Sequence, residues 1–419
     1  MPWGIHQQTL QSRLFIVAIA GALIIGTETT AQSQTNELYQ AAREKLVREV
    51  LIPGGVRDER VLNSIRSTPR HEFVPASQQD RAYFDLALPI GDKQTISSPY
   101  IVSVMTEALE PKPTDKVLEI GTGSGFQAAV LSPLVKDVYT IEIVKPLGER
   151  ATKVLERLGY KNVHTRIGDG FLGWPEAAPF DKIIVTCSPE KVPQPLVDQL
   201  AEGGLMIVPV GERYQQTLYS MRKVDGKLEQ VALRPTLFVP MTGEAEDKRE
   251  AKPDPAHPKI INGDFEQPLI NAEHVPGWYY QFGLRVERSD HAPAGPQYVE
   301  FQNDVPGRPT LLLQGIPLDG RVVRRIRISG YVSTEGVKPA SEKEDAPAIV
   351  IQFFDEDRKR IALYYAGPFI GNRKWHKESK DIEVPHVARE AIVTIGMFGG
   401  VGTARFDGIE LEVLKSTPQ

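Results

Sequence analysis

Lys116-Val117-Leu118-Glu119-Ile120-Gly121-Thr122-Gly123-Ser124-Gly125 decides the reading of this chain. Val117–Ile120 reads as a buried strand, the three glycines as a turn, and the apolar segment Phe126–Leu134 as the start of a helix. Glycine accepts positive φ and lets backbone approach a ligand with no Cβ in the way. Strand, glycine turn and helix in that order form a mononucleotide-binding device. The glycines alone are a weak signal, because tight turns use them too. Two acids sharpen it. Glu119 stands at the end of the strand, where dinucleotide sites carry a small or apolar residue. Glu142 follows about twenty residues later, at the end of the apolar run Val138–Ile141, the spacing at which an acid accepts both ribose hydroxyls. No lysine follows the glycines, which excludes a triphosphate loop. A carboxylate beside the turn repels a pyrophosphate and suits a cationic sulfonium or an amino group. The chemistry points to S-adenosylmethionine.

Working outward, residues 115–240 alternate strands with helical stretches: Val117–Ile120, Asp137–Ile141, Val163–Ile167, Lys182–Thr186, Leu205–Pro209 and Gln216–Lys223. Short apolar strands between helices predict a parallel sheet covered on both faces. Before it, Leu38, Ala41, Ala42, Leu46 and Val50, then Val61, Leu62 and Ile65, fall at helical spacing. Pro69, Pro75 and Pro89 break that pattern into loops. Residues 244–258 hold three prolines, dense charge and no apolar periodicity, which predicts a semi-stiff linker. Beyond it the helical signal vanishes. Leu311–Leu313, Val322–Ser329, Ala348–Phe354, Ile361–Tyr365, Ala391–Met397 and Ile409–Val413 predict an all-β sandwich over 259–415.

At 419 residues the chain accommodates two domains. A net charge of −5 with no long basic run argues against a nucleic-acid or anionic-membrane partner. The lone Cys187 excludes an intramolecular disulfide and any cysteine metal cluster. At the N-terminus, Leu14–Ile25 is apolar, preceded by Arg13 and followed by Thr29-Thr30-Ala31. The run is shorter than the roughly 20 residues of a spanning helix. It reads as a signal peptide over 1–31, cleaved after Ala31, with an uncleaved membrane anchor as the alternative. The mature protein is then exported, periplasmic or extracellular, with no stable membrane span; without a functional signal it stays cytoplasmic.

Several further segments accumulate around the glycine turn. They are Pro69-Arg70-His71-Glu72-Phe73-Val74-Pro75, Leu88-Pro89-Ile90-Gly91, Gln94-Thr95-Ile96-Ser97, Gly168-Asp169-Gly170, Pro179-Phe180-Asp181 and Val208-Pro209-Val210-Gly211. Together with Val117–Gly125 they closely resemble the protein-L-isoaspartate O-methyltransferases, from about residue 40 to Gly243. The Leu-Pro-Ile-Gly and Gln-Thr-Ile-Ser segments are the specific part.

The resemblance implies a class I methyltransferase, Rossmann-like and doubly wound, over 36–243. It also implies methylation of the α-carboxylate of L-isoaspartyl residues in damaged proteins or peptides, with S-adenosylmethionine as donor. A carboxylate is already ionised at neutral pH, so this nucleophile needs no general base. The residue roles that the resemblance implies begin with Ser97, which orients the substrate carboxylate. Glu119, Gly121 and Gly123 contact the methionine part of the cofactor, Glu142 its ribose, and Asp169 its adenine amino group. Bland readings stand beside these: a helix N-cap for Ser97 or Ser98, a strand-end acid for Glu142, a turn aspartate for Asp169. No metal is implied. Where the family reads Ala-Ala this chain has Cys187-Ser188, which weakens only claims about those two side chains. His71 and His164 read as surface or packing residues.

The second half is similar to galactose-binding-like or carbohydrate-binding jelly rolls, on Ile261-Asn262-Gly263-Asp264-Phe265-Glu266, Pro276-Gly277-Trp278-Tyr279 and Phe406-Asp407-Gly408-Ile409-Glu410-Leu411. It implies a possible glycan partner, with Trp278 and Trp375 either stacking on a sugar or filling the core. Two other functions remain open on sequence: a glycan- or cell-wall-binding protein on an inactive methyltransferase scaffold, and a methyltransferase acting on another carboxylate.

Overall fold

The computed structural model describes residues 27–414. Leu14–Ile25, the core of the expected signal, lies outside the described residues. Among the described residues no helix is long and apolar enough to cross a membrane.

The first half opens with helices α1 (Thr27–Leu46) and α2 (Glu59–Ser67), the latter N-capped by Asp58, whose carboxylate accepts from Arg60 N. Two short turns of 3-10 helix, Arg70–Phe73 and Ala76–Arg81, occupy the proline-punctuated stretch. Strands β1 (Leu88–Gly91) and β2 (Gln94–Ile96) then pair antiparallel across Asp92-Lys93. Both turn residues have positive φ, 52° and 60°, as tight two-residue hairpin turns require. The loop expected at Pro89 is therefore a short strand, tolerable because a two-stranded ribbon leaves proline an unpaired edge. Helix α3 (Pro99–Ala108) follows, with Pro99 at its first position and the Ser98 hydroxyl accepting from Ile101 N at 3.4 Å. Ser98, not Ser97, is the cap.

The central sheet contains β3 (Lys116–Ile120), β4 (Asp137–Glu142), β5 (Val163–Ile167), β6 (Phe180–Val185), β7 (Leu200–Glu212), β8 (Gln215–Val224) and β9 (Lys227–Thr236) in the order β5-β4-β3-β6-β7-β8-β9. Five strands run parallel as expected, while β8 and β9 add an antiparallel meander. The mixed edge follows from connection length. Arg213-Tyr214 and Asp225-Gly226 are too short for the crossover that a parallel strand needs. Helices α4 (Phe126–Leu131), α5 (Lys145–Arg157) and α6 (Gln194–Gln199) cover the sheet. Alternate residues of β3 feed opposite cores: Val117 packs with Val138, Ile207 and the α5 residues Leu147 and Leu155, and Leu118 with Ile183, Met206 and Leu196. Two covered faces leave the C-terminal ends of the parallel strands as the place for a ligand.

Residues 244–258 are more ordered than their composition predicts. A single turn, α7 (Glu244–Asp247), leads to Arg249, which is buried and donates to the carbonyls of Ser188 (3.0 Å) and Gly211 (3.2 Å). Glu190 accepts from Glu250 N and Ala251 N. Pro255 accepts from Asp319 N at 3.0 Å, tying the end of the segment to the second half.

That half is a sandwich of two antiparallel sheets. One contains β10 (Leu284–Arg288), β11 (Gln297–Asn303), β13 (Arg325–Lys338), β16 (Gly371–Glu383) and β18 (Val401–Val413), in the order β10-β11-β18-β13-β16. The other is β12 (Thr310–Pro317), β17 (Glu390–Met397), β14 (Ala348–Phe354) and β15 (Arg360–Ala366), in the order β12-β17-β14-β15. Their inner faces share one core around Phe301, Phe353 and Phe406. Trp278 is 0% exposed, and its ring N–H donates to Asn262 O. It is a core residue and offers no face to a sugar.

Candidate active site

The glycine turn leaves the end of β3 with φ of +96° at Gly121 and +57° at Gly123. A Cβ at Gly121 would meet Thr186 Oγ1 at 2.7 Å, so only glycine fits between the adjacent strand ends. Above this turn lies a cleft open to solvent. Five of the six residues expected at the site line it: Ser97, Glu119, Gly121, Gly123 and Glu142. They come from the β1–β2 hairpin, the end of β3, the turn and the end of β4. Met241 and Thr242, from the segment after β9, close another side.

Glu119 is 0% exposed, and neither carboxylate oxygen has a hydrogen-bond partner. The nearby Thr140 hydroxyl, 2.7 Å from that of Thr122, lowers the Glu119 carboxyl without reversing the effect of burial. Burial pushes the Glu119 carboxyl up to about 8, with the Glu142 charge adding to the effect. A buried carboxylate left unpaired is expensive unless a cation or donor arrives. The site thus has the chemistry for a cationic ligand group.

Glu142 is 6% exposed and does two structural jobs: Oε2 accepts from Gly123 N at 2.8 Å and Oε1 from Val144 N at 2.9 Å. Burial raises its carboxyl, and these backbone bonds act the other way. An ionised carboxylate has about four lone-pair sites, so each oxygen keeps one for a hydroxyl in the cleft.

Asp169 is the exception. It does not line the cleft, although its neighbour Gly170 does. Its Oδ1 accepts from Phe171 N and its Oδ2 from Glu244 N, both at 2.9 Å. The turn-aspartate reading describes what this side chain does within the chain.

Arg70 was not singled out by its sequence, and the structure brings it to the site. It is 1% exposed, and its guanidinium donates to the Ser97 carbonyl at 2.6 Å and to the Leu86 carbonyl at 2.9 Å. Burial lowers it to about 9 despite the attraction of Asp85. The only signal was its place between Pro69 and an aromatic residue, in the segment where His71 drew attention instead. His71 is buried, stacked on Tyr39 at 3.8 Å and 2.6 Å from the Tyr83 hydroxyl, so it packs and does not face the cleft. His164 pairs with Asp137 at 3.0 Å. Burial raises the Cys187 thiol, leaving it inert.

Known proteins resemble this chain over its first half. Residues 41–246 match the family described as protein-L-isoaspartate(D-aspartate) O-methyltransferase. A protein-L-isoaspartate O-methyltransferase of Opitutus terrae is 49% identical over 238 residues, covering 56% of this chain and 99% of that protein. One from Dictyoglomus turgidum is 50% identical over 206 residues, 49% of this chain and 93% of the relative. Among solved structures, a Plasmodium falciparum protein of that name in complex with S-adenosyl-L-homocysteine is 25% identical, with a TM-score of 0.42, covering 49% of this chain and 98% of its own. With its relatives spanned almost end to end at about half identity, the chain belongs to the protein-L-isoaspartate(D-aspartate) O-methyltransferase family.

Proposed function

We propose that this protein methylates the α-carboxylate of L-isoaspartyl residues in damaged proteins and peptides. The observation that carries this reading is the meeting, in one cleft, of the unpartnered Glu119 carboxylate with the hairpin end that holds Ser97. S-adenosylmethionine, when bound, supplies a methyl group on a cationic sulfonium. In our reading Glu119, Gly121 and Gly123 hold its methionine part, Glu142 accepts from its ribose, and Asp169 accepts from its adenine amino group with a spare lone pair. Ser97 donates to the substrate carboxylate and holds one oxygen in line for attack. No base is required, because the nucleophile is already ionised at neutral pH. Orientation carries the catalysis, an effect worth up to roughly 7–11 kcal/mol. The product ester can then close to a succinimide without further help from the protein.

The test is transfer of a labelled methyl group to an isoaspartyl peptide and to its ordinary aspartyl counterpart. The reading expects base-labile label in the first only. Equal labelling would move the function to another carboxylate, and absence of cofactor binding would leave only a scaffold. Against the scaffold stands Glu119, a burial cost that no cofactor-free protein needs.

Two further readings belong to the same proposal. Export through the signal at 1–31 is tested by finding the mature chain in the periplasmic or extracellular fraction. A glycan partner would use the outer face of the five-stranded sheet, where Tyr298 and Trp375 meet edge to face at 5.5 Å. Quenching of Trp375 fluorescence by oligosaccharides tests it, and a Trp375→Ala variant with unchanged glycan binding would overturn it.

A further inference from the structure

The segment Tyr280–Phe282 lies outside the family match, yet it reaches back onto the loop that carries Ser97. The Tyr280 hydroxyl donates to Asp85 Oδ2 at 2.8 Å. The other oxygen of Asp85 accepts from Tyr100 N, also at 2.8 Å, in the first turn of α3. Phe282 meets the Tyr100 ring edge-on, with centroids 5.9 Å apart. Two aromatic residues of the β-sandwich half thereby hold the two ends of segment 85–100, and Ser97 lies between them. Arg70 grips the same segment from inside through the carbonyls of Ser97 and Leu86. Tyr280 itself has φ +57°, a strained conformation for an aromatic residue. Such strain persists only where the surroundings over-determine it, and it gathers at functional positions. Here it aims a phenol at a carboxylate in the other half of the chain.

We propose that Tyr280 is a positioning residue for methyl transfer: through Asp85 it fixes the hairpin that presents Ser97, so that the β-sandwich half takes part in substrate recognition. The proposal rests on the methyltransferase reading above. It differs from an accessory role in one respect, which is that a single bond between the halves controls the fit of the substrate and leaves the cofactor untouched.

The experiment uses the full chain with Tyr280→Phe, which keeps the ring and removes only the hydroxyl. The expected result is a rise of about tenfold in KM for an isoaspartyl peptide, equivalent to ~1.4 kcal/mol, with KM for S-adenosylmethionine unchanged. Asp85→Ala removes the acceptor of both bonds and should raise the peptide KM at least as much. Adding Tyr280→Phe to Asp85→Ala should cost nothing further, because the link is already broken. Tyr214→Phe serves as the control. It removes another bond between the halves, Tyr214 to Glu390 at 3.2 Å, on the turn between β7 and β8, and should leave the peptide KM unchanged. An unchanged peptide KM in Tyr280→Phe, or full additivity with Asp85→Ala, overturns the proposal. If the wild-type protein methylates no isoaspartyl peptide, the functional reading fails separately, and amide exchange decides this one. Segment 85–98 should exchange about tenfold faster in Tyr280→Phe while β3 is unaffected; equal exchange would sink it.

Discussion

Replacing Glu119 by glutamine should make the cofactor-free protein more stable and the cofactor-bound protein weaker. The carboxyl moves from 4.5 to about 8 on folding, with burial the largest cause. The sign follows from linkage. The folded state holds the proton more tightly than the unfolded chain, so the contribution of Glu119 is fully favourable below pH 4.5. It is lost as pH rises through 8. At ~1.4 kcal/mol per pKa unit, the shift bounds the penalty on the ionised form at ~5 kcal/mol. Water entering the cleft, and the new amide donor that glutamine leaves without a partner, reduce the net gain to ~1–2 kcal/mol at pH 9. For a chain of this size that is a rise of about 2–4 °C in Tm. Below pH 4.5, where Glu119 is neutral in the folded and the unfolded chain alike, the difference should vanish. Scanning calorimetry of both proteins without cofactor, from pH 4 to pH 9, measures it. The same variant should lose about tenfold or more in affinity for S-adenosylmethionine, since a charged acceptor contributes ~1.5–3 kcal/mol. Wild-type binding below pH 8 should release a proton, seen as a binding enthalpy that depends on the buffer. A Tm difference that is flat with pH, together with unchanged affinity, would refute the claim that Glu119 is an unpaired carboxylate awaiting a cation.

Glu142→Ala should weaken cofactor binding by about 10- to 100-fold, because the ribose loses an acceptor and Gly123 N and Val144 N lose theirs; calorimetry on a variant with an intact near-ultraviolet spectrum would detect the opposite result. Ser97→Ala should lower turnover of an isoaspartyl peptide by about tenfold at nearly constant cofactor affinity, as loss of one hydrogen bond to a carboxylate implies; a loss of affinity with turnover preserved would contradict the role. Arg70→Lys should impair peptide turnover more than cofactor binding, since a point charge cannot hold both the Ser97 and Leu86 carbonyls in a fork; parity in both measurements would count against it. Limited proteolysis should nick residues 252–258 before 244–251, whose backbone is held by Glu190 and whose Arg249 is buried; a first cut at residues 244–251 would show that this docking is weak in solution.

What could be read from sequence was local in origin. The strand–turn–helix at 116–131, the acid at 142 and the cap at Ser98 each depend on neighbours within one or two elements, and apolar periodicity or turn chemistry reports them directly. The strands that escaped notice were those with wet faces. β16 holds thirteen residues of which only Ile382 is buried, and its place in the sheet comes from pairing with β13, not from its own hydropathy. β9 buries only its last three residues and gains its register from β8. Composition misled at 244–258 for a related reason: a buried arginine that satisfies two distant carbonyls looks, in sequence, like one more charge in a solvated run.

The same distinction divides the site. Glycine spacing locates where a cofactor goes, but it does not reveal that Glu119 is left unpaired by its burial while Asp169 has two partners, because those facts depend on what packs over the strand ends, including the amide of Glu244 folding back across them. The Asp85–Tyr280 bond joins residues 195 positions apart. Neither end of it stands out within its own segment. The residues proposed to hold the cofactor therefore sit in short motifs, whereas those proposed to set the shape of the substrate loop come from contacts between the two halves. A methyltransferase of this family that acquired a second domain could alter its substrate fit at that junction while leaving every glycine of the turn unchanged.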